Sequence, residues 1–283
     1  MIDAHIHVVP PNLPGVGPLS PGLRASPDNV ARVVREQMHA AGATHAAAMG
    51  AWDAGEQDPL GVGRTLQIAS AVPGLFAIGV ADPKRVDREH FRRAEEQIRA
   101  GRVVALKAYL GYLHYFPNDP GYVPYYEVAA KFKLPVFFHT GDTYSPLAKL
   151  KYAQPLGVDE VAVDFPAVQF VLCHVGNPWT VDAAEVVYKN MNVWADLSGL
   201  LVGPEEDFAD ESAAEGRRDV LERVRLAFRY AERPNRFVYG SDWPLAPMAA
   251  YANFIREAIP AEFHDMVFAE NARKLFGERM RIQ

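Results

Sequence analysis

A chain of 283 residues, 49% hydrophobic and 23% charged, holds enough apolar material for a large core and too little charge for a disordered one. Its formal charge of -6 and the absence of any Lys/Arg block exclude the electrostatic footprint of a nucleic-acid or anionic-membrane binder. The single cysteine, Cys173, excludes an internal disulfide, and with no leader-like segment and no bilayer-length apolar run the expected location is cytoplasmic.

The chain opens on "MIDAHIHVVPP". Alternation along a strand predicts that Asp3, His5 and His7 share one face, with Ile2, Ala4, Ile6 and Val8 on the other. After it, residues 9–26 carry five prolines and three glycines and predict a stiff, irregular cover. Ser26-Pro27 then reads as a helix start, followed by Val30, Val33, Val34 and Met38 at helical spacing. Further β-rich runs fall at 43–49, 75–81, 103–109, 134–139, 168–174, 192–197 and 236–241, making eight with the first at 2–8. A later amphipathic stretch carries Val220, Leu221, Val224, Ala227 and Phe228. The acidic "GPEEDFADESAAEG" has six acids and no base and reads as a solvated surface loop. Eight units of roughly 35 residues predict an α/β fold, a single-domain (β/α)8 TIM barrel over 1–283. A doubly wound open sheet is the rival, because element order alone does not prove closure.

Of the nine histidines, His5 and His7 lie on the first strand, His139 ends the fifth and His174 ends the sixth. Asp242 follows the eighth, in "FVYGSDWP". Taken singly, each has an ordinary structural explanation: a hydrogen-bonded strand histidine, a packed strand end, or an acid capping the turn before Pro244. Taken together, they stand at strand ends that converge on one face of a parallel barrel. Three imidazoles and a carboxylate form a donor set suited to one divalent metal ion, Zn first, with Mn, Fe or Co also acceptable. His39, His45, His90 and His264 fall outside this pattern, and Cys173 reads as a small core hydrophobe.

"DAHIH", "ALKAYLGY", "PVFFHTGD", "CHVGNPW", "YGSDWP" and "FAENARKLF", in this order, resemble the amidohydrolase superfamily. The resemblance is to its amidohydrolase-2 branch, which includes aminocarboxymuconate-semialdehyde decarboxylase, and it covers nearly the whole chain. It implies a (β/α)8 barrel with one divalent metal held by His5, His7, His139 and Asp242. His174 matches the family histidine that contacts metal-bound water. Lys107 matches a strand-four lysine that bridges two metals in binuclear relatives and is usually not a bridge in this branch.

The expected activity is metal-dependent hydrolysis, a metal-activated water attacking an amide, ester or lactone of a small, cyclic or aromatic substrate, with His174 or Asp242 taking the proton. The same ligands would serve a lyase, the non-oxidative decarboxylation of a cyclic or unsaturated carboxylic acid. A non-catalytic ligand-binding barrel is the third reading. Hydrolysis is preferred because a decarboxylase must hold the departing carboxylate, and the loops offer Arg24 as their main guanidinium. Candidate substrate contacts are Arg24, Trp52, Lys107, Tyr109, Tyr112, His114, Trp179 and Trp243. The expected partner is a small-molecule substrate, with neither nucleic acid nor membrane, and a homodimer is compatible with the sequence.

Overall fold

A computed structural model describes residues 1–281. Eight strands lie in one sheet in chain order: β1 (Ile2–His7), β2 (His45–Met49), β3 (Leu75–Val80), β4 (Val103–Ala108), β5 (Val136–Phe138), β6 (Phe170–Leu172), β7 (Val193–Asp196) and β8 (Phe237–Val238). All seven neighbouring pairs are parallel. The sheet closes where Ala4 N donates to Tyr239 O (2.9 Å), Asp242 N to His5 O (2.8 Å) and His7 N to Trp243 O (2.6 Å). The open sheet is thereby excluded, and the eight expected strands are all present, each trimmed by a residue or more.

Between the strands run α1 (Pro27–Ala41), α2 (Gly63–Ser70), α3 (Arg88–Arg99), α4 (Val123–Phe132), α5 (Gly157–Asp164), α6 (Thr180–Lys189), α7 (Ala214–Tyr230) and α8 (Met248–Ala258), with α9 (Asn271–Phe276) near the end. The α1 start is the one read from Ser26-Pro27: Ser26 Oγ accepts from Asn29 N and Pro27 occupies the first turn. Val30, Val34 and Met38 are buried and Val33 half-buried. In α7 the stripe Val220, Leu221, Val224, Ala227 and Phe228 is buried as expected. The acidic segment 203–216 is mostly exposed and folds into two 3-10 turns before α7. Among the described residues no helix is long and apolar enough to cross a membrane.

Strand parity sorts the core. Phe137, Val171, Trp194 and Val238 pack together and against Leu275 and Phe276 of α9. Their neighbours Val136, Phe138, Phe170, Leu172 and Phe237 join the layer under the helices. The first strand departs from strict alternation, because its register against β2 shifts between Asp3 and Ile6. Ile2 and Ala4 pack with the first cluster and Ile6 and Val8 with α1. Asp3 therefore does not share the role of His5 and His7: a bulge re-aims the side chains that follow it. Asp3 Oδ1 instead accepts from His5 N (3.2 Å) and Ser241 N (3.0 Å), tying β1 to the segment after β8.

Candidate metal centre

The carboxyl ends of the strands bring His5, His7, Lys107, His139, His174 and Asp242 around one cleft of about 40 Å3. Tyr109, Tyr112, Asp142 and Tyr144 complete the wall, and Pro11, Leu13, Val16 and Leu19 from the proline-rich segment line it from above. That segment is tied down by Trp52, whose backbone N–H donates to Pro11 O at 2.9 Å.

Local backbone geometry aims the polar groups. His174 lies two residues beyond β6, with φ 58°, in a turn where the β-branched Val175 also has positive φ. Asp242 has φ 58° as well. Non-glycine residues in this region are strained, and such strain persists where surrounding bonds over-determine it. Here those bonds are His174 N to Asp196 Oδ1 (2.9 Å) and Asp242 N to His5 O (2.8 Å). Gly199 must lack a side chain, since a Cβ there would sit 2.7 Å from Asp242 Oδ2 and 2.8 Å from His174 Nδ1.

Hydrogen-bond partners assign the tautomers. His5 Nδ1 lies 2.9 Å from the buried Asp196 Oδ2, so the proton is on Nδ1 and the lone pair on Nε2. That lone pair faces Asp242 Oδ1 at 3.4 Å, and His7 Nε2 is also 3.4 Å from Asp242 Oδ1. Asp242 Oδ1 and His7 Nδ1 are buried without a hydrogen-bond partner. Two atoms each about 2.1 Å from a tetrahedral ion stand about 3.4 Å apart, so this spacing suits ligands of a common cation better than partners of one another.

His139 extends the set. Its Nε2 lies 2.8 Å from Asp142 O, an acceptor only, so Nδ1 carries the lone pair. His174 Nδ1 lies 3.0 Å from Ser198 O, which leaves the lone pair on Nε2. These two lone pairs face each other at 3.2 Å, an arrangement that a shared proton or a cation beside them would relieve. The ligand atoms of His5, His7 and Asp242 lie within 4.8 Å of one another and are all buried. His139 is outside that tight group, with its Nδ1 facing His174 Nε2. The donor set fits a divalent ion.

Burial opposes protonation of His5 and pushes it down to about 4, and it drives His139 well below the usual imidazole value. Burial alone would raise the Asp242 carboxyl, but attraction to His5 in its protonated form holds it well below the usual range, so Asp242 is already ionised when His5 gives up its proton. Neutral imidazoles beside an ionised carboxylate are the protonation states a metal site requires.

Other sequence candidates separate cleanly. Lys107 is 1% exposed and its Nζ donates to Cys173 Sγ at 2.8 Å. Tyr109 donates to Gly50 O (3.1 Å), and Tyr112 Oη accepts from Tyr144 N (3.0 Å). Five of the proposed substrate contacts lie outside the cleft. Arg24 is exposed at the end of a 3-10 turn. Trp52 donates its indole N–H to Asp82 (3.1 Å), and His114 is exposed, bonded to Leu147 O and stacked on Tyr152. Trp179 stands at the start of α6, and Trp243 packs with Ile6 and Val8 in the layer under α1. Each belongs to a strand-end loop, as expected, but a loop has two sides and only packing chooses between them. Sequence reasoning passed over Asp196 and Ser198, although "WADLSG" puts an acid at the carboxyl end of the seventh strand, where the other strands also carry their polar residues.

With this geometry in place, comparison with known proteins assigns the class. Residues 2–277 match the Amidohydro_2 (amidohydrolase) family model, and the chain belongs to that family. No curated protein matches it. Among solved structures it is similar to an amidohydrolase from Burkholderia multivorans with bound zinc (18% identity, 97% of this chain and 98% of that one, TM-score 0.68). It is also similar to 5-carboxyvanillate decarboxylase from Sphingomonas paucimobilis (17%, 97% of both chains, 0.60). A third is a protein described as a probable 2-pyrone-4,6-dicarboxylic acid hydrolase from Acinetobacter baumannii (15%, 98% of both chains, 0.67). At these identities the likeness is one of fold.

Proposed function

We propose that this chain is a metal-dependent hydrolase acting on the amide, ester or lactone bond of a small organic molecule. The observation that carries this reading is the charge of the cleft: among the described residues, Lys107 is the one Lys or Arg that lines it. Orienting a departing carboxylate favours forked guanidinium donors, whereas a hydrolase needs a base and a shaped pocket for a neutral carbonyl. His5, His7, His139 and Asp242 would hold one divalent ion, zinc before manganese, iron or cobalt. Bound there, such an ion would supply Lewis acidity toward a carbonyl oxygen and ease the ionisation of water at neutral pH.

The chain's own groups do the rest. His174, with its Nδ1–H donated to Ser198 O, presents Nε2 to the cleft as a base. It accepts a proton there as the water oxygen bonds to the carbonyl carbon, and returns it to the leaving oxygen or nitrogen as the scissile bond breaks. Burial holds the Tyr109 phenol well above its usual value and pushes Tyr112 up to about 12, so both stay neutral. Tyr112 accepts the Tyr144 N–H, which leaves its own hydrogen free to donate to a substrate oxygen. Pro11, Leu13, Val16 and Leu19 favour an apolar substrate face.

Decarboxylation is the second reading, favoured by Lys107, whose buried ammonium can hold a carboxylate by charge. Metal-loaded protein incubated with lactones, amides and cyclic carboxylic acids, following ring opening and carbon dioxide together, distinguishes them. Hydrolysis of a lactone, ester or amide is expected. Carbon dioxide release with no hydrolysis overturns the proposal.

A further inference from the structure

Asp196 ends β7 fully buried, and its two oxygens are divided between different tasks. Oδ2 stands 2.9 Å from His5 Nδ1. Oδ1 accepts from His174 N (2.9 Å), Ser198 N (3.0 Å) and Ser198 Oγ (2.5 Å). Ser198 Oγ in turn lies 3.0 Å from His5 Nδ1 and 2.9 Å from His174 Nδ1. The hydroxyl thus touches both the first-strand imidazole that faces Asp242 and the imidazole that faces His139, while the carboxylate holds the first ring and the backbone N–H of the second.

We infer that Asp196, with Ser198, is a positioning device that keeps the proton of both His5 and His174 on Nδ1, so that both Nε2 lone pairs point into the cleft. The inference rests on the reading of His5 as a ligand and His174 as a base. A carboxylate can only accept, so the His5 nitrogen facing it must donate. The backbone bond from His174 N to Oδ1 also holds the left-handed turn that aims His174. Asp196, His5 and His174 lie close enough to suggest a second metal site. Their facing atoms are already matched to one another through Ser198 Oγ, which makes this cluster the support behind the centre. Histidines that ligate metals commonly donate their other ring N–H to a carboxylate, and losing that partner costs about 10–100-fold in metal affinity.

Asp196→Asn tests this sharply. Three donors converge on Oδ1, so the amide oxygen must stay there and the NH2 group must turn to His5 Nδ1. Nδ1 would then accept, and the proton would move to Nε2. In metal-free wild type, 15N histidine spectra should show Nδ1–H for both His5 and His174, and in Asp196→Asn the His5 proton should move to Nε2. Zinc affinity measured against a competing chelator should fall about 10–100-fold in the variant. An Nε2–H on His5 in wild type, an unchanged tautomer in a folded variant, or two tightly bound zinc ions per wild-type chain would overturn the inference. The wild-type spectra decide it even where the variant does not fold. Wild type that binds no zinc while showing both Nδ1–H tautomers would refute the metal reading and leave the positioning role standing.

Discussion

The two ends of this barrel differ in size and in chemistry, and the order is reversed. The hollow at the amino end of the strands, about 1490 Å3, is far larger than the cleft of about 40 Å3 at the carboxyl end. It is lined by Arg99, Arg102, Lys133, Lys274 and Arg279, among others. Several of those cations are occupied in holding the chain together. Arg102 donates to Ala69 O (2.7 Å), Arg279 to Phe132 O (2.9 Å), and Arg99 pairs with Glu95. The small cleft holds the opposite population: buried lone pairs facing one another and a carboxylate oxygen without a partner. Volume therefore does not mark the site; converging atoms whose bonding is incomplete do. That matches the division of labour in barrels of this kind, with stability at the bottom face and chemistry at the top.

The largest test of this contrast removes a ligand from the small end. His7→Ala and Asp242→Asn should each lower metal affinity by more than about 100-fold and abolish turnover, read by elemental analysis and kcat/KM, since a direct ligand outweighs its supporting partner. His174→Ala should keep the metal and lower kcat by about 10^2 to 10^4-fold, the usual contribution of a general base. Loss of the ion with it would make His174 a ligand.

Acidity separates the ends on the scale of stability. In metal-free protein His5 is pushed down to about 4 from 6.5, so between these values the unfolded chain binds the proton and the folded one does not. Its contribution is complete above 6.5 and is lost as pH falls toward 4, with His139 acting in the same direction. Asp3, raised by burial to about 7 from 3.8, opposes them: its contribution is complete below 3.8 and is lost as pH rises through 7. Asp3→Asn removes that counterweight. Urea unfolding of the variant should show a loss between pH 6.5 and 4 steeper than wild type by on the order of 3 kcal/mol. At the amino end Arg279→Ala should cost about 1–3 kcal/mol of stability with kcat unchanged, because three carbonyls lose their shared donor. Lys274→Ala should shift stability by less than about 0.5 kcal/mol and leave kcat within twofold. A large effect on kcat there would break the contrast.

Much of this protein was written in local pattern. β-rich runs at regular spacing specified eight strands, Ser26-Pro27 specified a helix start, and the HxH of the first strand with His139, His174 and Asp242 specified where polar residues collect, because strand ends must converge once a parallel barrel closes. Closure itself was decided by long-range bonds, such as Asp242 N to His5 O, that no local window contains. Tertiary structure also decided that Tyr109 and Tyr112 face the cleft while Trp52, His114, Trp179 and Trp243 do not, since a side chain in a loop has no fixed period to read. The bulge that separates Asp3 from His5 and His7 lay equally beyond the alternation rule. Asp196 and Ser198 gained their role only when the end of β7 came beside β1 and the turn after β6. A carboxylate's effect on an imidazole proton depends on a contact of 2.9 Å across 191 positions of sequence, and folding alone creates it.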